Sequence, residues 1–286
     1  MKRIMVATDL SERSDRALRR ATLLCKQFDT ELMLIHVVDD DQPRRIVEAE
    51  SREAKAILRQ TAETLRDVDG VKCETQVIHA TPFAGIVKAV EDATPDLLVI
   101  GHHRKQVLRD VFIGTTAERT IRSVSCPVLM VNASPAGKYR RVLLTTDLSG
   151  ASRDALKRVP EIGLSRETRN TLLYVFDAPA LRLAFNQSMP KDEREHYVAD
   201  EQLNAQEDLD RFLSSLDLGN VVPMVRHEAT RAQYEILEAA KATKADLIVL
   251  STHGRTGLPK LLLGSITEQV LQSAPIDVLA IPPLRG

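Results

Sequence analysis

The stretch Arg3-Ile-Met-Val-Ala-Thr-Asp-Leu-Ser11 decides the fold, because it is met again as Arg141-Val-Leu-Leu-Thr-Thr-Asp-Leu-Ser149. Both copies run on to an Ala-Leu pair, Ala17-Leu18 and Ala155-Leu156. Further along, Asp96-Leu-Leu-Val-Ile-Gly101 returns as Asp246-Leu-Ile-Val-Leu-Ser251, and Gly114-Thr-Thr-Ala-Glu118 returns as Gly264-Ser-Ile-Thr-Glu268. One domain has been duplicated. The offset is 138 residues at Asp9/Asp147 and 150 at Gly114/Gly264, so the second copy carries 12 extra residues, expected between Asp177 and Glu201.

Each copy alternates short apolar runs with helical spacing. Ile4 to Thr8 reads as a strand, and Ala17, Leu18, Ala21, Leu24 and Cys25 then fall on one helical face. Strands follow at Leu32 to Val38, Lys72 to Ile78, Leu97 to Ile100 and Pro127 to Val131. Helices are expected over Arg44 to Asp67, Phe83 to Glu91 and Thr115 to Ser123. The second copy repeats the strands at Val142 to Thr146, Thr171 to Phe176, Val221 to His227, Leu247 to Leu250 and Val278 to Ile281. Short strands joined by helices imply parallel β-α-β units with helices on both faces, a doubly wound α/β domain. Asn132-Ala-Ser-Pro-Ala-Gly-Lys138 has linker composition, so domains are expected over residues 1–135 and 139–286.

Composition excludes several function classes. A chain of 286 residues with 43% hydrophobic and 28% charged residues is expected to form two globular domains. Its net charge of −1 and pI near 6.7 argue against nucleic acid as a partner. The longest apolar runs fall far short of the ~20 residues that span a bilayer, so no membrane partner is expected. Asp9 interrupts the first apolar run too early for a signal-peptide core, which predicts an unprocessed, cytoplasmic chain. Cys25, Cys73 and Cys126 form no C-x-x-C pair and read as buried or half-buried thiols.

In open α/β sheets ligands bind beyond the carboxyl ends of the strands, where strand order reverses. After strand four the second copy reads Ser251-Thr-His-Gly254, nine residues, then Gly264-Ser265; the first reads Gly101-His-His-Arg104, nine residues, then Gly114-Thr115. Glycine after a strand lets backbone N–H groups come close to a ligand, and a Gly-Ser or Gly-Thr helix start offers free N–H groups to phosphate. The same residues, Ser265-Ile-Thr-Glu268 and Thr115-Thr-Ala-Glu118, also fit a capping box that merely starts a helix. Local pattern leaves both readings open.

At these residues the chain resembles the universal stress protein family over essentially its whole length. The carriers are the two Thr-Asp-Leu-Ser openings, Ser251-Thr-His-Gly-Arg-Thr-Gly257, Leu262-Leu-Gly-Ser-Ile-Thr-Glu268 and Cys126-Pro-Val-Leu-Met-Val131. ATP-binding members of that family carry Gly, two residues, Gly, nine residues, then Gly with Ser or Thr. The second copy matches with Gly254, Gly264 and Ser265 but has Ser251 at the first position; the first matches with Gly101, Gly114 and Thr115 but has Arg104 at the middle one. Arg104 either blocks close approach or donates to a phosphate.

The resemblance implies two Rossmann-like domains of the adenine nucleotide alpha hydrolase-like kind, each a five-stranded parallel sheet. They are expected to pack as a pseudo-twofold dimer through the fifth strands, leaving room for a further homodimer. It implies ATP or another adenine nucleotide, with or without Mg2+, held mainly by the second copy. There Thr146 and Asp147 stand at the adenosine end, Val175 offers backbone to the base, and Ser251, His253, Gly254, Gly264, Ser265 and Ile266 surround the phosphates. Thr8, Asp9, Val37, Gly101, Arg104, Gly114 and Thr115 are the first copy's weaker counterparts. Asp9 and Asp147 also read as residues that only hold the turn into Ser11 and Ser149.

Other signals point away from chemistry. Adjacent His102 and His103 lack further ligands at metal spacing, and His36 reads as a satisfied core or rim residue. Neither a Gly-x-Ser-x-Gly elbow nor a G-x-x-x-x-G-K-[ST] loop occurs. Folds that activate amides carry Ser-Gly-Gly-x-Asp-Ser after strand one, where this chain has Ala7-Thr-Asp-Leu-Ser-Glu12. The expectation is a stress-response binding module, regulatory or protective. Alternatives are a slow ATP hydrolase and a binder of another small or lipid-like ligand. The segment Ala178 to Tyr197 is expected to add or lengthen a helix over the crevice as a lid.

Overall fold

The computed structural model describes residues 1–102, 116–179, 190–253 and 263–283. The first copy runs β1 (Arg3–Thr8), α1 (Glu12–Phe28), β2 (Glu31–Val38), α2 (Arg44–Asp69), β3 (Cys73–His79), α3 (Pro82–Ala93), β4 (Leu97–Gly101), α4 (Thr116–Ser123) and β5 (Val128–Val131). The second runs β6 (Arg141–Thr146), α5 (Gly150–Ile162), β7 (Arg169–Phe176), α6 (Lys191–Ser214), β8 (Val221–His227), α7 (Ala232–Thr243), β9 (Leu247–Ser251), α8 (Ser265–Ser273) and β10 (Asp277–Ile281). No helix among the described residues is long and apolar enough to cross a membrane.

All ten strands form one sheet in the order β3-β2-β1-β4-β5-β10-β9-β6-β7-β8. Every neighbouring pair is parallel except β5 and β10, which run antiparallel with Leu129 opposite Leu279. The two copies therefore meet strand to strand about a pseudo-twofold axis, as the resemblance implied, and the edge that each fifth strand would expose is paired. Strand order reverses between β1 and β4 and again between β6 and β9, which fixes where a crevice opens in each copy.

The central strands β4, β5, β9 and β10 are buried on both faces, whereas the outer strands β3 and β8 are half-exposed and carry polar residues. Alternation sends Ile4 and Val6 into one core and Met5 into the other. On the first face Ala17, Leu24, Leu58, Leu156 and Leu209 bring in α1, α2, α5 and α6; on the second Ile86, Ile121, Ile236 and Val270 bring in α3, α4, α7 and α8. Each core contains residues of both copies, so the halves share their hydrophobic interior.

The extra residues of the second copy are split. The offset between copies is 138 at β2/β7, 148 at β3/β8 and 150 at β4/β9, which puts ten residues between β7 and β8 and two between β8 and β9. The helix itself is not lengthened, since α6 has 24 residues and its counterpart α2 has 26. Of the segment expected to form a lid, residues 180–189 lie outside the described residues.

Candidate functional site

The turn after the first strand is built the same way in both copies. Leu10 and Leu148 take positive φ, 61° and 62°, and each is held by its neighbours' side chains. Thr8 Oγ1 accepts from Leu10 N at 3.0 Å and Thr146 Oγ1 from Leu148 N at 2.9 Å. Asp9 Oδ1 accepts from Ser11 N and Asp147 Oδ1 from Ser149 N, both at 3.0 Å. Both aspartates thus hold the turn while also lining a crevice. Burial pushes the Asp9 carboxyl up, but hydrogen bonds from the Ser11 hydroxyl and N–H outweigh it and leave its pKa below the usual value.

In the second copy, eight of the residues singled out from sequence line one cavity of about 290 Å³: Thr146, Asp147, Val175, Ser251, His253, Gly264, Ser265 and Ile266. Gly254 lies outside the described residues. The cavity sits at the carboxyl ends of β6, β7 and β9, closed on the far side by the start of α8.

That helix start corrects the capping-box reading. The N-cap is Gly264, with extended φ −60° and ψ 136°, and Ser265 is already the first helical residue. No side chain among the described residues caps the helix, and the N–H groups of Ser265, Ile266 and Thr267 have no intrahelical acceptor. Tertiary bonds fix it instead: Gly264 N donates to Thr252 O at 3.0 Å, and Thr267 Oγ1 donates to Ser251 O at 2.8 Å. Among the described residues, a Cβ built on Gly264 would meet Thr252 O and Thr267 Oγ1, each at 3.7 Å. Neither φ nor crowding requires glycine here.

His253 is held by its neighbours. Thr252 Oγ1 lies 2.9 Å from His253 Nδ1, while Ser251 Oγ donates to His253 O at 2.7 Å. His253 Nε2 is buried with no hydrogen-bond partner among the described residues. Tyr174, Asp177 and Glu228 also line the cavity and were missed. Asp177 and Glu228 directly follow β7 and β8, so the rule that ligands gather beyond strand ends marks both.

The first copy has a cavity of about 260 Å³, lined by Thr8, Asp9, Val37 and Gly101. Arg104, Gly114 and Thr115 lie outside the described residues, as does His103. Here the glycine has a packing reason: a Cβ on Gly101 would stand 2.9 Å from Arg13 O, so this residue lets the first turn of α1 close onto the end of β4. Arg13, His36 and His102 line this cavity as well, and His36 Nδ1 is paired with Thr8 O at 2.8 Å.

The family model described as universal stress protein family matches residues 1–132 and again 138–282. This chain belongs to the universal stress protein family. A universal stress protein of Mycolicibacterium smegmatis is 25% identical over 98% of this chain and 97% of its own length. A single-copy universal stress protein of Methanocaldococcus jannaschii is 32% identical over 46% of the chain and 81% of its own. The solved universal stress protein from Archaeoglobus fulgidus superposes with a TM-score of 0.70 at 19% identity, covering 99% of this chain and 98% of that one. This last likeness bears on fold alone.

The hydroxyl that contacts His253 Nδ1, that of Thr252, is buried and so lacks access to act as a nucleophile. The thiols are unsuited to the role: burial pushes Cys25 and Cys126 up to about 12 and Cys73 up to about 11. The arrangement can hold an anion at α8 and accept hydrogen bonds at the β7 and β8 ends.

Proposed function

We propose that this universal stress protein is an adenine-nucleotide-binding module of the stress response, regulatory or protective, with the nucleotide held mainly by the second copy. The observation that carries the reading is the bare N-terminus of α8. Three uncapped N–H groups and the positive end of the helix face a cavity next to a glycine that packing does not demand. Beside them His253 Nδ1 pairs with the Thr252 hydroxyl at 2.9 Å, which holds the ring at the cavity wall.

The acids support the same orientation. Asp177 and Glu228 follow strands two and three places across the sheet from β9, roughly 10–14 Å from the phosphate end at a strand spacing of ~4.8 Å. There they accept from ribose hydroxyls and a base amine, beside the Val175 backbone, while Asp147 and Thr146 bound the adenosine. In this reading the domains divide at residues 1–135 and 139–286, and the first loop is degenerate because Arg104 replaces a glycine and Gly101 already serves α1. Mg2+ is an optional companion of the phosphates, and hydrolysis is slow at most.

Denaturing the purified chain and chromatographing the released small molecules tests this. Adenine nucleotide is expected, or uptake of added ATP or ADP by the stripped protein. If no nucleotide is released and none is taken up, the proposal is contradicted.

A further inference from the structure

The amino ends of the strands carry a polar cluster in the second copy and a hole in the first. Asp277, fully buried at the start of β10, accepts from Arg20 Nε at 3.1 Å, Tyr139 OH at 2.6 Å, and the N–H groups of Asn132 and Ala133, both at 3.0 Å. The Arg20 guanidinium also stacks on the Tyr139 ring, 4.2 Å from its centroid. This cluster is well satisfied.

Its image keeps the arginine and loses everything else. Arg158 on α5 is the counterpart of Arg20 on α1, but Pro127 stands for Asp277, Met1 for Tyr139, and Pro282 and Pro283 for Asn132 and Ala133. Where carboxylate and phenol would be, a cavity of about 270 Å³ opens, lined by Arg158, Met1, Pro127 and Cys126. Arg158 donates Nη1 to Pro282 O at 2.6 Å and makes no ion pair among the described residues. Burial holds its pKa below the usual arginine value.

We propose that this cavity binds a small aromatic carboxylate, its carboxylate on Arg158 in the place of the Asp277 carboxylate and its ring in the place of Tyr139. A guanidinium donates to a carboxylate and takes a ring on its face, and on the Arg20 side Nε donates to Asp277 Oδ2 while the Tyr139 ring stacks on the guanidinium. Two acids line the cavity without closing it. Asp96 already accepts from Lys2 N and Arg3 N, as Asp246 accepts from Arg140 N and Arg141 N beside the complete cluster. Glu161 is solvent-exposed at the rim.

The test is calorimetric and NMR titration of the full chain with benzoate, and with acetate as the ringless control. Benzoate is expected to bind and to shift Met1 and Cys126 resonances, with acetate about tenfold weaker. Arg158→Met is expected to weaken benzoate about tenfold or more, and Pro127→Asp, which supplies the carboxylate internally, to abolish its effect. Nucleotide binding is expected to be unchanged in Arg158→Met. Absence of benzoate binding to the parent chain, or its survival in Arg158→Met, overturns the proposal; equal binding of acetate overturns the aromatic requirement.

Discussion

Gly264 N lies 3.0 Å from the Thr252 carbonyl, which ties the first residue before α8 to the end of β9. The bond ties the helix N-terminus to the strand, so the anion site proposed there is positioned before any ligand arrives. Because a Cβ at Gly264 meets nothing closer than 3.7 Å among the described residues, Gly264→Val is expected to fold with a loss of only about 1 kcal/mol, the usual cost of a poor N-cap residue. Its nucleotide affinity is expected to fall by about 1–3 kcal/mol, through bulk at the N–H donors. Unfolding in denaturant and calorimetric titration on the same variant separate the two effects; unchanged affinity in a folded variant moves the phosphate site elsewhere.

Gly101 gives the opposite result. A methyl there would stand 2.9 Å from Arg13 O, so Gly101→Ala is expected to lift α1 from β4 and cost about 1–3 kcal/mol in denaturant unfolding. A neutral substitution would show that α1 is free to shift.

Asp277→Asn keeps the shape of the side chain but leaves Arg20 buried without a counter-charge. Breaking a buried, hydrogen-bonded pair typically costs about 3–5 kcal/mol, and that loss of unfolding free energy is expected here. A loss within experimental error would mean that Tyr139 and the linker hold the copies together unaided.

Asp9 contributes to stability with a definite pH sign. Its folded pKa is depressed below the unfolded value of ~3.9, so its contribution is complete above that value and is lost as pH falls through the folded one. Asp9→Asn is therefore expected to remove part of the acid dependence of unfolding below pH ~4 and to leave the profile above pH ~5 parallel to that of the parent chain. A profile of unchanged shape at low pH would contradict it.

Much of this was legible before the fold was known. Two copies of an apolar run ending in Thr-Asp-Leu-Ser pointed to two parallel half-sheets, and β8 begins at Val221 and ends at His227 as the repeat of the first copy's series indicated. The Thr-Asp turns were readable because their chemistry is local, within two residues. Ser265 was not, since a Ser-x-x-Glu pattern looks alike at N-cap and at the first helical position, and only the bond from Gly264 to Thr252 sets the register. Gly101 lines the first cavity as expected from its place after β4, but its contact with Arg13 O comes from α1 and no local pattern announces it. The Arg20–Asp277 pair spans 257 residues, and no spacing rule reaches that far.

Catalysis is expected to be minor. Backbone N–H donors at α8 hold phosphate but do not activate water, so nucleotide is expected back largely unhydrolysed after long incubation, with turnover far below the ~1–10³ s⁻¹ of typical enzymes. Metal-dependent turnover within that range, lost in Asp147→Ala, would make this chain an ATPase.

The most direct test of the central claim is the stoichiometry of ATP or ADP binding to the stripped, full-length chain by calorimetry, run beside Gly264→Val. One nucleotide per chain, with that binding lost or weakened in the variant, is the predicted result. Two equal sites, or one site indifferent to Gly264→Val, would contradict it.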